Sequence, residues 1–400
     1  MKRWLKIHRE GPRLASPKPF LRWGPIVLLM ILVVGGVLAQ GGNMKRPDAP
    51  PLAARGAWVV GVRTLQLADA SRTNRGITAE VWYPTTGTQQ SLLYESVIGQ
   101  TPVRIAGRAN RDAAPASGRF PLIVASHGQP GTRFQFAYLN EHLASRGFVV
   151  AALEHPGSTY QTLTQQNYLT SIVDRPLDIL FAIAEIARQL PGADASNVGL
   201  LGYSYGGYSV FNAAGAGLDG NALREYCRSH NEGPCFALPF FAQLEAQRGL
   251  NVARPDPRIK AVFAMAPYGQ PWIGARSLAN FKLPLFVAVG EADDVATYRR
   301  DGLEYFRKAG STEKYLLTLA AAQHNPFVEC PPEVRSREED YWRCWEPVWD
   351  LERSHDLARH FAAAFFLRFL QNNPEAGAFL HPSLPGFKPR TSVGVKLETR

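Results

Sequence analysis

From Pro121 onward the chain alternates short apolar runs with amphipathic ones. Leu122–Ser126, Phe148–Leu153, Val198–Leu201, Ile259–Ala264, Leu285–Val289 and Tyr315–Leu319 are apolar runs of strand length bounded by turn residues. A run that is apolar on both faces is what a buried parallel strand requires. Between them, Tyr138–Ser145, stopped by Gly147, reads as a helix. So does a segment started by Asp174 and Pro176 and ending at Leu190, with Leu177, Leu180, Phe181, Ala184 and Ala187 along one face. A last helix is predicted over Ser354–Leu370. Ahead of this region, Ala57–Leu67 and Ile77–Tyr83 predict two strands joined by a turn at Asn74, Arg75 and Gly76; the second alternates, as a half-covered antiparallel strand does. Eight strands interleaved with helices imply an α/β fold: a mostly parallel eight-stranded sheet with helices on both faces. Ligands of such sheets sit beyond the carboxyl ends of the strands.

The pattern also divides the chain. Residues 1–23 form a basic n-region and residues 24–39 an uncharged apolar run with small residues near Ala39. The pair predicts either a cleaved signal peptide or an uncleaved membrane anchor, and both leave the remainder outside the cytoplasm. Residues 40–56, rich in Gly and Pro, read as a linker, residues 57–372 as the folded domain, and residues 373–400 as a C-terminal tail. Nine of the 44 Lys and Arg residues and one of the 34 Asp and Glu residues lie in residues 1–46. The rest of the chain therefore carries a net of +2, against +10 for the whole. The basicity belongs to the leader and predicts no nucleic-acid partner.

Residues 218–257 interrupt the strand–helix alternation with an insertion too long for a simple connection. It holds Cys227, Cys235 and the apolar residues Phe236, Leu238, Phe240, Phe241 and Leu244, and reads as a cap over the site. The other two cysteines, Cys330 and Cys344, form a second local pair. Proximity favours Cys227 with Cys235 and Cys330 with Cys344 among the three possible connectivities. No Cys-x-x-Cys and no His cluster of ligand spacing appears, so no metal is expected; the serine chemistry below calls for no cofactor.

Gly202-Tyr203-Ser204-Tyr205-Gly206 follows the strand Val198–Leu201 and precedes a helix-compatible run. This is the strand, sharp turn and helix of a nucleophile elbow, with glycines where a Cβ would collide. The pentapeptide alone arises by chance often enough that its context must decide. In this chain order an acid and then a histidine should follow the serine. Asp293, just past the strand Leu285–Val289, is the expected acid, with Asp294 in reserve and Glu291 behind it. His324, just past Tyr315–Leu319, is the expected base. His355 and His360 fall on the last helix and read as surface or packing residues. The oxyanion hole calls for two backbone N–H groups. Tyr205 should supply one, and the loop after Leu122–Ser126 the other, from Gln129 or Gly128, since Pro130 has none. His127 reads as support for that loop. Tyr268, Trp272 and Phe240 are the candidate substrate-binding residues.

Trp82-Tyr83-Pro84, Ser126-His127-Gly128, His155-Pro156-Gly157-Ser158, the Ser204 motif, Asp293 and His324 together resemble the α/β-hydrolase superfamily. More narrowly, the chain is similar to the platelet-activating-factor acetylhydrolase-like and "predicted dienelactone hydrolase" serine esterases over residues 57–370. The resemblance implies an α/β-hydrolase fold, a triad of Ser204, Asp293 and His324, and an oxyanion hole of Gln129 and Tyr205. True dienelactone hydrolases carry a Cys nucleophile where this chain has Ser204, so their substrate does not carry over.

The expected activity is that of a serine esterase outside the cytoplasm, acting on a small-molecule ester with a short or small apolar acyl group. No protein partner is implied; a membrane is involved only if the N-terminal run stays uncleaved. The alternatives are a peptidase or lipase on the same fold, and a non-catalytic, membrane-tethered binding protein that kept the fold.

Overall fold

The computed structural model describes residues 46–400 apart from Arg248 and Asn251. The predicted basic segment, the apolar run and the first part of the linker lie outside the described residues. Among the described residues no helix is long and apolar enough to cross a membrane.

The strands are β1 Val59–Asp69, β2 Arg75–Thr85, β3 Leu92–Ile98, β4 Thr101–Gly107, β5 Asn110–Arg111, β6 Phe120–Ser126, β7 Val149–Glu154, β8 Ala193–Tyr203, β9 Ile259–Met265, β10 Leu285–Gly290, β11 Lys314–Leu319 and β12 Val395–Thr399. Ten of them form one sheet in the order β12-β11-β10-β9-β8-β6-β7-β2-β1-β5. The eight predicted strands are its contiguous centre. From β7 to β11 neighbouring strands are parallel, and β2 joins antiparallel to β7. This is the α/β-hydrolase fold.

The sheet exceeds the predicted eight strands at both edges. Two-residue β5 runs beside β1. Residues 395–399, expected to lie in a tail, return as β12 and pair antiparallel with β11 from Tyr315↔Thr399 to Leu319↔Val395. The later part of the predicted linker is also docked. Leu52 N–H donates to His360 Nδ1 (3.1 Å) on the helix Leu351–Leu370, and Arg46 pairs with Asp350 (2.5 Å). The folded unit thus begins before residue 57. His360 and His355 are both buried; His355 stacks on Tyr138 and bonds the Val328 carbonyl (3.1 Å), a packing role.

Helices cover both faces, and each face buries its own apolar core. Val124, Leu200, Val262 and Val287 face one; Ile123, Leu201, Phe263 and Phe286 face the other. α1 spans Ala137–Ala144, α2 Gln165–Gln189 and α3 Tyr205–Ala213. α2 begins nine residues before the predicted start and takes Pro176 into its interior. A proline there leaves the carbonyl four residues earlier without its donor. Tyr208 Oη, from α3, donates to that Ile172 carbonyl instead (2.6 Å). The insertion folds as α4 Gly220–Ser229, a turn at Gly233–Ala237, and α5 Leu238–Gln247. Cys227 and Cys235 are bonded across it, and Cys330 to Cys344 across a loop of 14 residues.

Candidate active site

β8 ends at Tyr203 and α3 begins at Tyr205, leaving Ser204 alone in the turn with φ +53° and ψ −120°. A non-glycine residue adopts that conformation only where its surroundings over-determine it. Here Ser204 N–H donates to Met265 O (2.9 Å), and its carbonyl accepts from Gly207 N–H (2.8 Å) and Tyr268 N–H (3.0 Å). The flanking glycines are needed for space. A Cβ on Gly202 would lie 2.3 Å from the Gly206 carbonyl oxygen, and one on Gly206 would lie 2.1 Å from that of Ser126.

Two loops bring polar side chains to the serine. The turn after β10 carries Asp293, and the turn after β11 carries His324. They touch because Gly290 has no side chain: a Cβ there would lie 2.3 Å from the Gln323 carbonyl oxygen. Ala292 N–H donates to Ala322 O (2.9 Å) across the same junction. His324 Nε2 lies 3.0 Å from Ser204 Oγ, and its Nδ1 lies 2.8 Å from Asp293 Oδ2. Asp293 Oδ1 accepts from the N–H groups of Val295 and Ala296, both at 2.9 Å, so the carboxylate is fixed on both oxygens. With Nδ1 protonated toward Asp293, Nε2 is free to accept the serine proton. Of the other two acids in the turn, Glu291 accepts from Ala321 N–H (3.3 Å), and Asp294 lines the cleft without touching His324.

The loop after β6 faces the elbow. Gly128 N–H is spent on Gln135 Oε1 (2.7 Å), which leaves Gln129 as the loop's available donor. Among the described residues, the backbone N–H groups of Gln129 and Tyr205 donate to nothing. His127 supports the loop: its Nδ1 bonds the Gly128 carbonyl (2.6 Å) and its Nε2 accepts from His155 N–H (3.2 Å). Burial and the Arg175 guanidinium hold its pKa well below the usual imidazole range, so the ring is neutral.

Ser204 opens into a cleft of about 350 Å³ whose walls include Gln129, Tyr160, Asp294, Trp342, Arg343 and Trp345. Next to the elbow lies an apolar pocket of about 590 Å³, lined by Leu163, Tyr168, Leu169, Phe236 and Tyr268 with Thr164 and Gln165. Of the three candidate substrate-binding residues, Tyr268 lines this pocket. Trp272 and Phe240 do not: both are buried, and Trp272 packs edge-on to Tyr205 and Tyr208 with its indole N–H on the Pro234 carbonyl (3.0 Å). Among the described residues the insertion meets the apolar pocket through Phe236 alone and contributes nothing to the walls of the cleft. Trp342, Arg343 and Trp345 were not foreseen. Trp342 and Arg343 sit in the loop closed by Cys330 and Cys344, and Trp345 directly follows it; the loop begins only six residues after His324, and that spacing was the available signal. Among the described residues no group of three or more His, Cys, Asp or Glu side chains is arranged to hold a metal ion.

The chain matches the family described as "Platelet-activating factor acetylhydrolase, isoform II" over residues 75–174, and the prolyl oligopeptidase family over residues 134–218. The second match contains Ser204; both end before Asp293. "Cutinase est2" of Thermobifida alba is 26% identical over 206 residues, which is 51% of this chain and 53% of that protein. The chain thus spans about half the length of this curated relative.

Proposed function

We propose that this chain, an α/β-hydrolase similar to the platelet-activating-factor acetylhydrolases, is a serine carboxylic-ester hydrolase. The observation that carries the reading is the row Asp293, His324 and Ser204, joined at 2.8 and 3.0 Å and opening on a cleft. His324 takes the Ser204 proton as Oγ attacks the ester carbonyl. The Gln129 and Tyr205 N–H groups hold the oxygen that becomes negative. His324 then protonates the departing alcohol, and water releases the acyl group by the same path. A cleft of about 350 Å³ with Gln, Asp and Arg in its walls favours a short or small apolar acyl group over a long chain. The two disulfides favour a protein that works outside the cytoplasm.

The test is labelling by a fluorophosphonate, which reacts only with an activated serine. Wild type should be labelled and the Ser204→Ala variant should not; an unlabelled wild type would return the case to the non-catalytic reading.

A further inference from the structure

Arg175, on α2, is fully buried, and none of its hydrogen bonds reaches a carboxylate. Nη2 donates to the His127 carbonyl and to Ser126 Oγ (2.9 Å); Nη1 donates to the Gly128 carbonyl and to Gln129 Oε1, both at 3.3 Å. Its Nε has no partner. The guanidinium also sits over the Tyr205 ring, 5.2 Å from its centroid. Burial lowers its pKa to about 10, which still leaves it charged at neutral pH. Burying a charge costs several kcal/mol even when it is paired. A residue needed only to fill this space could have been apolar.

The partners of Arg175 indicate what the charge does. Every acceptor belongs to residues 126–129, the loop that faces Ser204. The Gly128 carbonyl and the Gln129 N–H belong to one planar trans peptide, where they point in opposite directions. With that carbonyl drawn down onto Arg175, the N–H points up, away from the guanidinium. A cation on the carbonyl also polarises the peptide and makes its N–H a stronger donor. Gln129 Oε1 is pinned below by Arg175 and by Ser171 Oγ (3.1 Å).

Arg175 is itself fixed from behind. Ser126 Oγ lies 2.9 Å from His155 Nε2, and His155 Nδ1 lies 3.0 Å from Asp178 Oδ2; Arg75 and Arg72 hold the other carboxylate oxygen, Oδ1. This is a second row of serine, histidine and aspartate, but all three residues are fully buried, so it offers no nucleophile to a substrate. Its hydroxyl accepts from Arg175 and donates to His155, which anchors the guanidinium.

We propose that Arg175 is the positioning residue of the oxyanion loop, aiming the Gln129 N–H into the cleft and placing a buried positive charge behind it. The proposal rests on the ester-hydrolase reading. It makes Arg175 matter more to the transition state than to the bound ester.

The test compares Arg175→Met and Arg175→Lys with wild type in three measurements: kcat and KM on p-nitrophenyl butyrate, inhibition by phenylboronic acid, whose tetrahedral serine adduct resembles the transition state, and thermal midpoint. Arg175→Met should lower kcat by on the order of 10²-fold, the scale of a lost oxyanion donor, with a parallel loss of boronate affinity and KM within about threefold. Arg175→Lys keeps the charge and should recover part of both. A variant whose kcat and boronate affinity stay near wild type while only the midpoint falls overturns the proposal. If Arg175→Met does not fold, Arg175→Lys decides: weaker boronate binding at constant KM supports the proposal, and unchanged boronate binding overturns it. A wild type inert toward both the ester and a fluorophosphonate defeats the ester-hydrolase reading and this inference with it, before any variant is made. An active wild type with an equally active Arg175→Met defeats this inference alone.

Discussion

Tyr203 Oη lies 3.0 Å from the main-chain carbonyl of His324, and the same distance from Asn325 Oδ1. The last residue of β8 therefore holds the loop that carries His324. Asn325 Nδ2 passes the connection on, donating to the carbonyls of Trp342 and Trp345 at 3.2 Å each, and Glu346 accepts from Gln323 N–H (2.9 Å). The loop closed by Cys330 and Cys344, through Trp342, and the residues just past it, Trp345 and Glu346, thus brace the turn that carries His324.

Removing that disulfide should accordingly affect turnover as well as stability. Cys330→Ser with Cys344→Ser should cost about 3 kcal/mol on the chain-entropy scale for a loop of this length. It should also lower kcat several-fold, because His324 displaced by a fraction of an ångström takes the Ser204 proton from the wrong geometry. Cys227→Ser with Cys235→Ser frees a segment that, among the described residues, lines the apolar pocket through Phe236 and the cleft not at all, and should leave kcat nearly unchanged. Urea unfolding and steady-state kinetics on both double variants check this; the reverse pattern would show that the brace is not needed.

Ser204→Ala and His324→Ala should each remove ester hydrolysis by several decades, because the two act as one unit. Asp293→Asn should be less damaging, and Asp294→Asn close to wild type, since only Asp293 reaches Nδ1. Single-turnover rates on an activated ester separate the four. Residual activity within tenfold of wild type in the serine or histidine variant would show that the row is not the reacting one.

The strands themselves were legible because six of them are apolar on both faces, and Ser204, Asp293 and His324 were picked out by their places at strand ends. What escaped was set by contacts distant in sequence. Pro176 resembles a helix start until Tyr208 is seen to satisfy the Ile172 carbonyl. Trp272 looks like a pocket residue, since it follows a strand end, but it is buried behind Tyr205. Val395–Thr399 is too short and polar to be read as a strand; the exposed edge of β11 makes it one. Arg175 gave no signal at all, because a charged residue in a helix is ordinarily solvated.

Stability should fall as pH drops below neutrality. Burial holds His127 and His142 well below the usual imidazole range, His155 at about 4 and His355 at about 3. Each binds a proton on unfolding below about pH 6.5, so the stability they contribute is present above that pH and is lost on acidification. Burial raises Asp301 to about 6 and Glu329 to about 7. Below those values the two carboxyls are protonated in the folded state and release their protons on unfolding, so they oppose the trend. The four histidines outnumber the two carboxyls, so unfolding takes up protons near pH 5 to 6 and stability falls there. Urea midpoints at pH 7.5, 6 and 5 check the sign, and a midpoint that is flat or rises toward pH 5 contradicts it. His155→Asn should flatten the profile if it folds.

The dimensions of the two cavities bear on the acyl preference. The cleft that contains Ser204 is the smaller, about 350 Å³, and mixes Gln129, Asp294 and Arg343 with aromatic walls. The apolar pocket of about 590 Å³ includes neither Ser204 nor His324 in its lining. An acyl group held at the serine therefore meets polar walls within a few carbons, and each further methylene gains little. One methylene in an apolar pocket changes the barrier by only roughly 1–3 kcal/mol, so the preference should be graded. Values of kcat/KM on p-nitrophenyl esters should be highest from acetate to butyrate and decline toward palmitate, with a peptide anilide slower than any of them. Fastest turnover on palmitate would mean that the chain reaches the apolar pocket, and Phe236→Ala should then depress the long esters selectively. Fastest turnover on the anilide would favour the peptidase reading, in keeping with the match to the prolyl oligopeptidase family.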